Sequence, residues 1–495
     1  MSEYVNIPLS MDSIDDYRKF IAIKELPRYS IYGGFAHVPR EYANTIGVKV
    51  RNSKRTAYTA PSWMFDYQRE ITKTALEKKR YAVFADCGLG KTPILLEFAR
   101  EAVKRGGRGK ALIVSPLMVC RQTVAEAEKF YPGQPFLKYV PSSGLSEWLR
   151  TGTGIAITNY EAITDELPRS ELDALILDES SMLKSHYGAW GTRLIEMGRG
   201  VEYKLCATGT PAPNDRIEYA NHAVFLDAFP TVNAFLARFF VNRGQTNERW
   251  ELKPHALRPF YVALSHWCIF LTNPAVYGWK DNCGTLPPIH VHLENVPLTP
   301  EQREALMETH GTMFVSEAGG IGSRGKIARI GKGFHNGERI ESNKTAHIVK
   351  MVRSWPGEST IIWCKYNQEQ DDIAAALPEA GNISGDTPVE ERERIIADFK
   401  AGRLRVLITK PKILGFGLNL QIATRQVFSG LQDSYEEYYQ AVKRSNRYGS
   451  TKPLNVHIPI TELEAPMVQT VLSKAHRVQA DTEQQERMFH ELAVR

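Results

Sequence analysis

Ala85-Asp86-Cys87-Gly88-Leu89-Gly90-Lys91-Thr92 is a glycine-bearing stretch set between a strand-like and a helix-like apolar segment. Ahead of it, Tyr81-Ala82-Val83-Phe84 is a continuous apolar run and reads as a buried strand. Behind it, Ile94-Leu95-Leu96-Glu97-Phe98-Ala99 places apolar residues at helical spacing. Strand, glycine loop, Lys-Thr and helix together are the context of a phosphate-binding loop. The glycines let the backbone turn with its N–H groups pointing inward, and the helix N-terminus adds partial positive charge. Lys91 can then reach the β- and γ-phosphates of a nucleotide, and the Thr92 hydroxyl can bind Mg²⁺. Ala85 stands where the usual first glycine would be. On this stretch alone, a plain glycine turn between a strand and a helix stays open.

Around the loop, residues 67–220 read as α/β. Strand candidates recur at Ala82–Ala85, Ala111–Val114, Gly154–Thr158, Leu175–Leu177 and Lys204–Ala207, with helical segments between them. That alternation predicts a doubly wound parallel sheet, with ligands at the carboxyl ends of its strands. A second such pattern holds strands at Thr360–Cys364, Val406–Thr409, Gln426–Ser429 and Val456–Ile460, and helices at Glu390–Phe399 and Ser434–Arg447. It has no second glycine-Lys-Thr loop, so it is not expected to hold phosphates in the same way. Between the two, residues 221–292 are rich in Phe, Trp and Tyr and lose the alternation. Asn221–Phe240 reads as helical, and Pro287-Pro288 marks a break. Thr299 and Gln302 stand at the two positions of a capping box. Residues 1–60 predict a helix over Ile14–Leu26 and a small β element over Arg28–Val50. Lys49, Arg51, Lys54 and Arg55 follow, as part of an accessory binding module or as a solvated linker.

The chain has 495 residues, which points to about two to four domains. Hydrophobic residues at 43% and charged residues at 24% fit a soluble globular protein. The net charge of +6 permits nucleic-acid binding without demanding it. The six cysteines form no CxxC pair, which argues against a zinc site or a disulfide framework and fits a reducing compartment. No signal peptide, internal repeat or membrane-length apolar run is evident.

Leu175-Ile176-Leu177-Asp178-Glu179 is an apolar strand ending in two acids. Metal-assisted phosphoryl transfer needs one carboxylate to hold Mg²⁺ and a second to activate water. Asp178 suits the first task and Glu179 the second. Two acids capping a strand would be the simpler reading without the phosphate loop upstream. Near the C-terminus, Arg444 and Arg447 are three residues apart on a predicted helix, which puts them on one face. Such a pair can stabilise charge on a γ-phosphate, or it can be a solvated basic face.

The ordered set of motifs resembles the superfamily-two (DExD/H-type) helicases and translocases. Within them it is most similar to the remodeller-type, Swi/Snf-like branch, especially its short phage and prophage forms. The resemblance covers roughly residues 61–465. Phe65-Asp66-Tyr67-Gln68-Arg69 resembles the adenine-reading glutamine motif, and Ala85–Thr92 the Walker A motif. Ser115-Pro116-Leu117 and Thr158-Asn159-Tyr160-Glu161 resemble first-domain strand-contact motifs. Asp178-Glu179-Ser180-Ser181 resembles the Walker B box, with Ser181 where His or Asp is usual. Ala207-Thr208-Gly209-Thr210-Pro211, followed by Asn214, resembles the motif coupling hydrolysis to nucleic-acid binding. Leu257–Gln302 resembles a helical insertion and interdomain connection, here short. Ile361-Ile362-Trp363-Cys364, then Gly385-Asp386 with Arg392 and Phe399, resemble the second domain's opening motifs. Gly415-Phe416-Gly417-Leu418-Asn419-Leu420-Gln421 resembles motif five, with Gly-Phe-Gly where remodellers carry a glycine pair. Gln440–Gly449 resembles motif six, which makes Arg444 and Arg447 candidate arginine fingers.

The resemblance implies an α/β chain of two tandem RecA-like parallel-sheet domains, at 61–220 and 341–465. A helical insertion and connection would span 221–340, an N-terminal accessory region 1–60 and a C-terminal helical tail 466–495. It implies ATP and Mg²⁺ as cofactors, and hydrolysis between the two RecA-like domains coupled to movement on DNA. Both fork or branched-DNA remodelling and duplex translocation fit. Lys91, Asp178, Glu179, Gln440, Arg444 and Arg447 would be catalytic. Tyr67, Gln68, Gly88, Leu89, Gly90, Lys91, Thr92 and Gly417 would hold the nucleotide, with Thr92 and Asp178 on the metal. Ser115, Pro116, Thr158, Asn159, Thr208, Thr210, Thr409 and Asn419 would touch nucleic acid or couple it to hydrolysis, and Lys326, Arg329, Lys332, Arg403 and Arg405 could widen a basic track. DNA contacts would be to the backbone and independent of sequence, RNA is less favoured, no membrane is involved, and protein partners are unassigned. The expected compartment is the cytoplasm of a bacterium or of a phage-infected host. Two other readings stay open: an ATP-gated DNA-binding or recruitment module, which Ser181 keeps in play, and the motor subunit of a larger DNA-processing or defence complex.

Overall fold

Apolar runs buried on both sides become interior strands of parallel sheets, and this chain builds two such sheets. The computed structural model describes residues 4–43, 46–48, 58–168, 171–183, 189–244, 250–280, 286–310, 321–414, 418–431, 434–447 and 450–493. Two compact units result, one of Met1–Asn282 with Ala480–Arg495 and one of Cys283–Gln479.

The first unit begins with an antiparallel sheet of β1 (Tyr4–Pro8), β2 (Ser30–Tyr32) and β3 (Phe35–Pro39) in the order β1-β3-β2. Helix α1 (Ile14–Glu25) starts at Ser13, whose hydroxyl accepts from the Asp16 N–H. Ile23 and Leu26 pack with Ile7, Ala36 and Val38 on one face of this sheet. Lys49, Arg51, Lys54 and Arg55 lie outside the described residues.

The main sheet of this unit contains β4 (Arg80–Ala85), β5 (Lys110–Ser115), β6 (Leu137–Tyr139), β7 (Gly154–Asn159), β8 (Ala174–Asp178) and β9 (Tyr203–Thr208). Beyond the hairpin of β10 (Phe240–Asn242) and β11 (Trp250–Leu252), a seventh strand, β12 (Cys268–Leu271), joins it. The order is β12-β4-β9-β8-β5-β7-β6, and every pairing is parallel. The aromatic-rich residues after 220 fill the core of this unit: Phe235, Phe239, Phe260 and Trp267 pack in one cluster with Phe84 and Tyr219.

The second unit holds β13 (Ile289–Asn295), a short hairpin of β14 (Phe334–His335) and β15 (Glu338–Arg339), then β16 (Thr360–Trp363), β17 (Gly381–Asn382), β18 (Val406–Thr409), β19 (Arg425–Phe428) and β20 (Leu454–Ile460). Its sheet is six-stranded, β13-β20-β19-β16-β18-β17, and again wholly parallel. The two tandem parallel sheets expected from the sequence are therefore present. The expected capping box also forms: the Thr299 N–H donates to Gln302 Oε1 at 3.0 Å, and the Gln302 N–H to Thr299 Oγ1 at 3.3 Å.

Two expectations change. The helix read over Ser434–Arg447 runs only from Tyr435 to Val442, with Ser434 as its N-cap. Arg444 and Arg447 therefore lie in the turns that follow it, not on one helix face. Lys332, offered as part of a basic track, is buried and ion-paired to Glu369 at 2.5 Å. Among the described residues no helix is long and apolar enough to cross a membrane.

Candidate nucleotide site

The carboxyl end of β4 passes into the loop Asp86–Gly90, and helix α3 (Lys91–Gly106) starts at its end. Gly88 and Gly90 have φ of 92° and 65°, the left-handed region that side chains disfavour. Gly90 is further constrained by space, since a Cβ there would stand 2.3 Å from Gln68 Nε2. The Lys91 ammonium rests on the loop mouth, donating to the Ala85 carbonyl at 2.9 Å and the Asp86 carbonyl at 3.4 Å. Thr92 follows, half-buried, in the first turn of α3. The loop is tied to β12 by the Asp86 N–H donating to the Leu271 carbonyl at 2.9 Å.

Helix α2 (Asp66–Lys78) brings the glutamine motif over the same loop. The Tyr67 hydroxyl donates to the Leu89 carbonyl at 2.9 Å. Gln68 Oε1 accepts from the Phe65 N–H at 2.9 Å, and its Nε2 donates to the Gly90 carbonyl at 3.3 Å. Both bonds orient the amide, and each of its ends keeps capacity for one more partner. Trp279 stands with its ring centroid 6.4 Å from that of Tyr67, and its role is not visible in the sequence. Residues at the far end of the chain also reach this region. Glu486 accepts from the Thr272 hydroxyl at 2.5 Å, just past β12, and Asp481 pairs with Arg216 at 2.7 Å.

The acid pair sits at the end of β8. Asp178 Oδ2 accepts from the Ser115 hydroxyl at 2.9 Å, and its carbonyl from the Tyr160 hydroxyl at 2.7 Å. Burial, and then the neighbouring charge of Glu179, push the Asp178 carboxyl up to about 7, against the pull of Ser115 and Lys91. Burial and Glu179 outweigh Lys91 here, and a divalent cation bound beside such a carboxyl would restore its ordinary ionisation. Glu179 has a left-handed φ of 50°, rare for a non-glycine residue. Its Oε2 accepts from the Thr208 hydroxyl at 3.1 Å, and Thr208 Oγ1 accepts in turn from the Thr210 N–H at 3.1 Å. The acid pair and the loop after β9 are thus one hydrogen-bonded unit. A methyl on Gly209 would stand 3.4 Å from the Ala85 carbonyl, so that loop also lies against the phosphate loop. Thr210 Oγ1 is buried with no partner among the described residues. The Ser181 hydroxyl donates back to the Glu179 carbonyl at 3.5 Å. Ser180 bonds to His222 Nε2 at 3.1 Å, and burial lowers that imidazole to about 4, keeping it neutral.

Asp178 also sets a pH dependence. Its folded pKa lies above the unfolded value near 3.8, so the nucleotide-free fold binds the extra proton and loses stability as pH rises from about 4 to 7. Asp178→Asn is expected to match the wild type near pH 4 and to exceed it above pH 7 by roughly 1–3 kcal/mol. Thermal melting across that range checks this, and parallel curves for the two proteins would refute it.

Several hydroxyls expected at a nucleic-acid backbone face inward instead. Ser115 is spent on Asp178, Thr158 donates to the Val140 carbonyl at 2.8 Å, and Thr409 to the Ile383 carbonyl at 3.1 Å. All three are fully buried, and each donates its hydroxyl to an acceptor on a neighbouring segment. Asn159 is buried and bonded to Glu161 at 2.8 Å, while Pro116 precedes the helix Leu117–Phe130. In the second unit Asn419 is exposed and Gln440 buried. Arg444 is buried; its Nε donates to the Gln440 carbonyl at 3.1 Å, and its Nη2 has no acceptor among the described residues. Arg444 and Arg447 each direct Nη1 to the Leu418 carbonyl at 3.5 Å. Gly417 lies outside the described residues. Arg405 donates to the Trp355 carbonyl at 3.0 Å, and Arg403 pairs with Asp398 at 2.6 Å.

Comparison with known proteins agrees with the two parallel-sheet domains. A family model described as the SNF2-related domain matches residues 45–343, more than half of the chain. One described as the helicase conserved C-terminal domain matches residues 343–449. Putative protein p41 of Acyrthosiphon pisum secondary endosymbiont phage 1 is 23% identical over 434 residues, covering 79% of this chain and 91% of that protein. ATP-dependent helicase fft1 of Schizosaccharomyces pombe is 22% identical over 463 residues, covering 78% of this chain and 49% of fft1. The chain thus spans about half the length of that relative. The solved structure of S. cerevisiae Dbp5 bound to RNA and ADP BeF3 shares the fold at a TM-score of 0.52 and 12% identity, covering 86% of this chain and 93% of that one.

Proposed function

We propose that this chain, which belongs to the SNF2-related domain family, is an ATP-driven motor that moves on DNA. The family is one of ATP-hydrolysing enzymes, and ATP binding follows from membership. The observation that carries the motor reading is the bond between Glu179 and Thr208, continued to the Thr210 N–H. It joins the residue proposed to activate water to the loop after β9, so a shift in one is felt by the other.

In this reading the Gly88–Thr92 backbone and Lys91 hold the β- and γ-phosphates, and the Gln68 amide reads adenine beside Tyr67. Thr92 and Asp178 would hold Mg²⁺, which supplies charge neutralisation on the phosphates. Glu179 accepts the proton of the attacking water. Arg444, Arg447 and Gln440 are proposed as catalytic groups, the two arginines stabilising transition-state charge, and Gly417 is proposed to bind the nucleotide. Because the Ser115, Thr158 and Thr409 hydroxyls are buried, DNA phosphates would be met by backbone N–H groups of those segments and by exposed side chains such as Asn419.

The test is the ATPase rate with no nucleic acid and with single-stranded DNA, duplex DNA, forked DNA and RNA. Stimulation of at least about tenfold by DNA, falling steeply with salt, is expected. A rate indifferent to DNA would sink the motor reading and leave an ATP-gated recruitment module. Forked-duplex unwinding and triplex displacement then separate fork remodelling from duplex translocation.

A further inference from the structure

The turn that carries the acid pair is held from behind by one short helix. Glu179 keeps a left-handed φ of 50°, which persists in a non-glycine residue only where the surroundings over-determine it. The residues after it, Ser180–Leu183, form a short helical turn, and the helix Tyr219–Phe225 holds both ends of that turn. The Asn221 side-chain amide donates to the Leu183 carbonyl at 2.5 Å, and His222 Nε2 stands 3.1 Å from the Ser180 hydroxyl. The other ring nitrogen sets the direction of this second bond. His222 Nδ1 lies 3.3 Å from the Glu218 carbonyl, which can only accept, so Nδ1 carries the proton of the neutral ring. Nε2 is then bare, and the Ser180 hydroxyl donates to it. Just before the helix, the Glu218 carboxylate accepts from the Asn214 N–H at 3.0 Å and from the Asn214 side-chain amide at 2.9 Å. Ser180, Glu218, Asn221 and His222 are all buried, and the Phe84 ring packs edge-on to the imidazole at 5.3 Å.

We infer that His222 is a positioning residue for Glu179: through Ser180 it fixes the turn that aims the Glu179 carboxylate, and through Glu218 it ties that turn to Asn214 in the loop after β9. It does so on the premise, proposed above, that Glu179 is the general base. The bond from Glu179 to Thr208 reaches the same loop from the carboxylate side, so the helix Tyr219–Phe225 supplies a second route between the two segments. Volume does not explain a histidine here, since a leucine would fill much of the space beside Phe84 with no polar atom to satisfy. What the imidazole adds is a directed bond. That bond fixes the rotation of the Ser180 side chain, and with it the backbone on the far side of Glu179.

Ser180→Ala in the full chain removes only the hydroxyl that reaches His222. It is expected to lower kcat for ATP at least about tenfold, with affinity for a fluorescent ATP analogue within about twofold of wild type. Ser180→Ala/His222→Leu removes both partners of the bond, so it should melt near the wild type yet keep the same loss of kcat. His222→Gln restores an acceptor, because its Oε1 stands as many bonds from Cβ as Nε2 does, and should return turnover to within about threefold of wild type. In a Glu179→Gln background, Ser180→Ala should cost nothing further, since both changes act through one carboxylate. A histidine that merely packs the core predicts turnover that follows the melting temperature, with the double variant regaining both. Turnover within about twofold of wild type in Ser180→Ala overturns the inference. So does a His222→Gln variant no faster than the double variant, or a full further loss in the Glu179→Gln background. If Glu179→Gln itself hydrolyses ATP at the wild-type rate, the base reading fails and the positioning role with it. If Glu179→Gln is inactive while Ser180→Ala is fully active, only the positioning role fails.

Discussion

Glu179→Gln is expected to lower ATP turnover roughly 10²–10⁴-fold while ATP still binds. The amide keeps the size and one oxygen of the carboxylate, so Oε1 can still accept from the Thr208 hydroxyl, now 3.1 Å from the glutamate. It cannot take a proton from water at neutral pH, so the general-base contribution is lost. The groups proposed to bind the nucleotide, namely the Lys91 ammonium, the Gly88–Thr92 backbone and the Gln68 amide, are untouched. Lys91→Ala should fail differently. It removes the cation resting on the Ala85 and Asp86 carbonyls, so binding and turnover fall together. Equilibrium binding of a fluorescent ATP analogue, read beside steady-state turnover, separates the two patterns. Undiminished hydrolysis in Glu179→Gln would remove Glu179 from the base role.

What could be read from the sequence was what depends on neighbours in the chain. The strand before Ala85 and the helix after Gly90 show a clean change of period, and the Thr299/Gln302 cap is fixed by residues three apart. The acid pair was legible because an apolar run ends in it. Features that depend on distant partners were not. Cys268–Leu271 is only four residues within an aromatic segment, and it becomes a strand by pairing with Ala82–Ala85. The helix expected to reach Arg447 stops at Val442, where the Gln426 side chain takes the Ala441 carbonyl at 3.0 Å. Local spacing cannot show a helix end set by another strand. Hydroxyls at Ser115, Thr158 and Thr409 sit where the motifs put them, but their direction follows acceptors on other segments. Lys332 carries the same lesson for charge, since its counter-ions come from two separate helices or turns.

Glu464→Ala is expected to destabilise the second unit by about 3–5 kcal/mol, because it strips the counter-charge from a buried ammonium. Lys344 Nζ donates to both carboxylate oxygens of Glu464, one at 2.6 Å, and both side chains are almost completely buried. Lys332 lies 2.5 Å from Glu369 and 3.8 Å from Glu464, and donates to the Ser429 carbonyl at 2.9 Å. Two lysines and two glutamates thus balance, and they join the end of the second sheet to the segments around residues 332, 344, 369 and 464. Burial pulls Lys344 down to about 8 despite Glu464, so without that carboxylate it must shed its proton near neutral pH or stay charged in an apolar site. Burial alone would raise Glu369, but the two ammonium groups outweigh it and hold it down to about 2. Its contribution is therefore complete above its unfolded pKa near 4.5 and is lost as pH falls toward 2. Urea unfolding followed by hydrogen exchange of peptides from Cys283–Gln479 reports the second unit. The single variant should shift that transition strongly. Lys344→Met/Glu464→Leu should recover most of the loss, since an apolar pair of similar volume leaves no charge stranded. A loss below about 1 kcal/mol in Glu464→Ala would mean that water reaches this cluster and screens it.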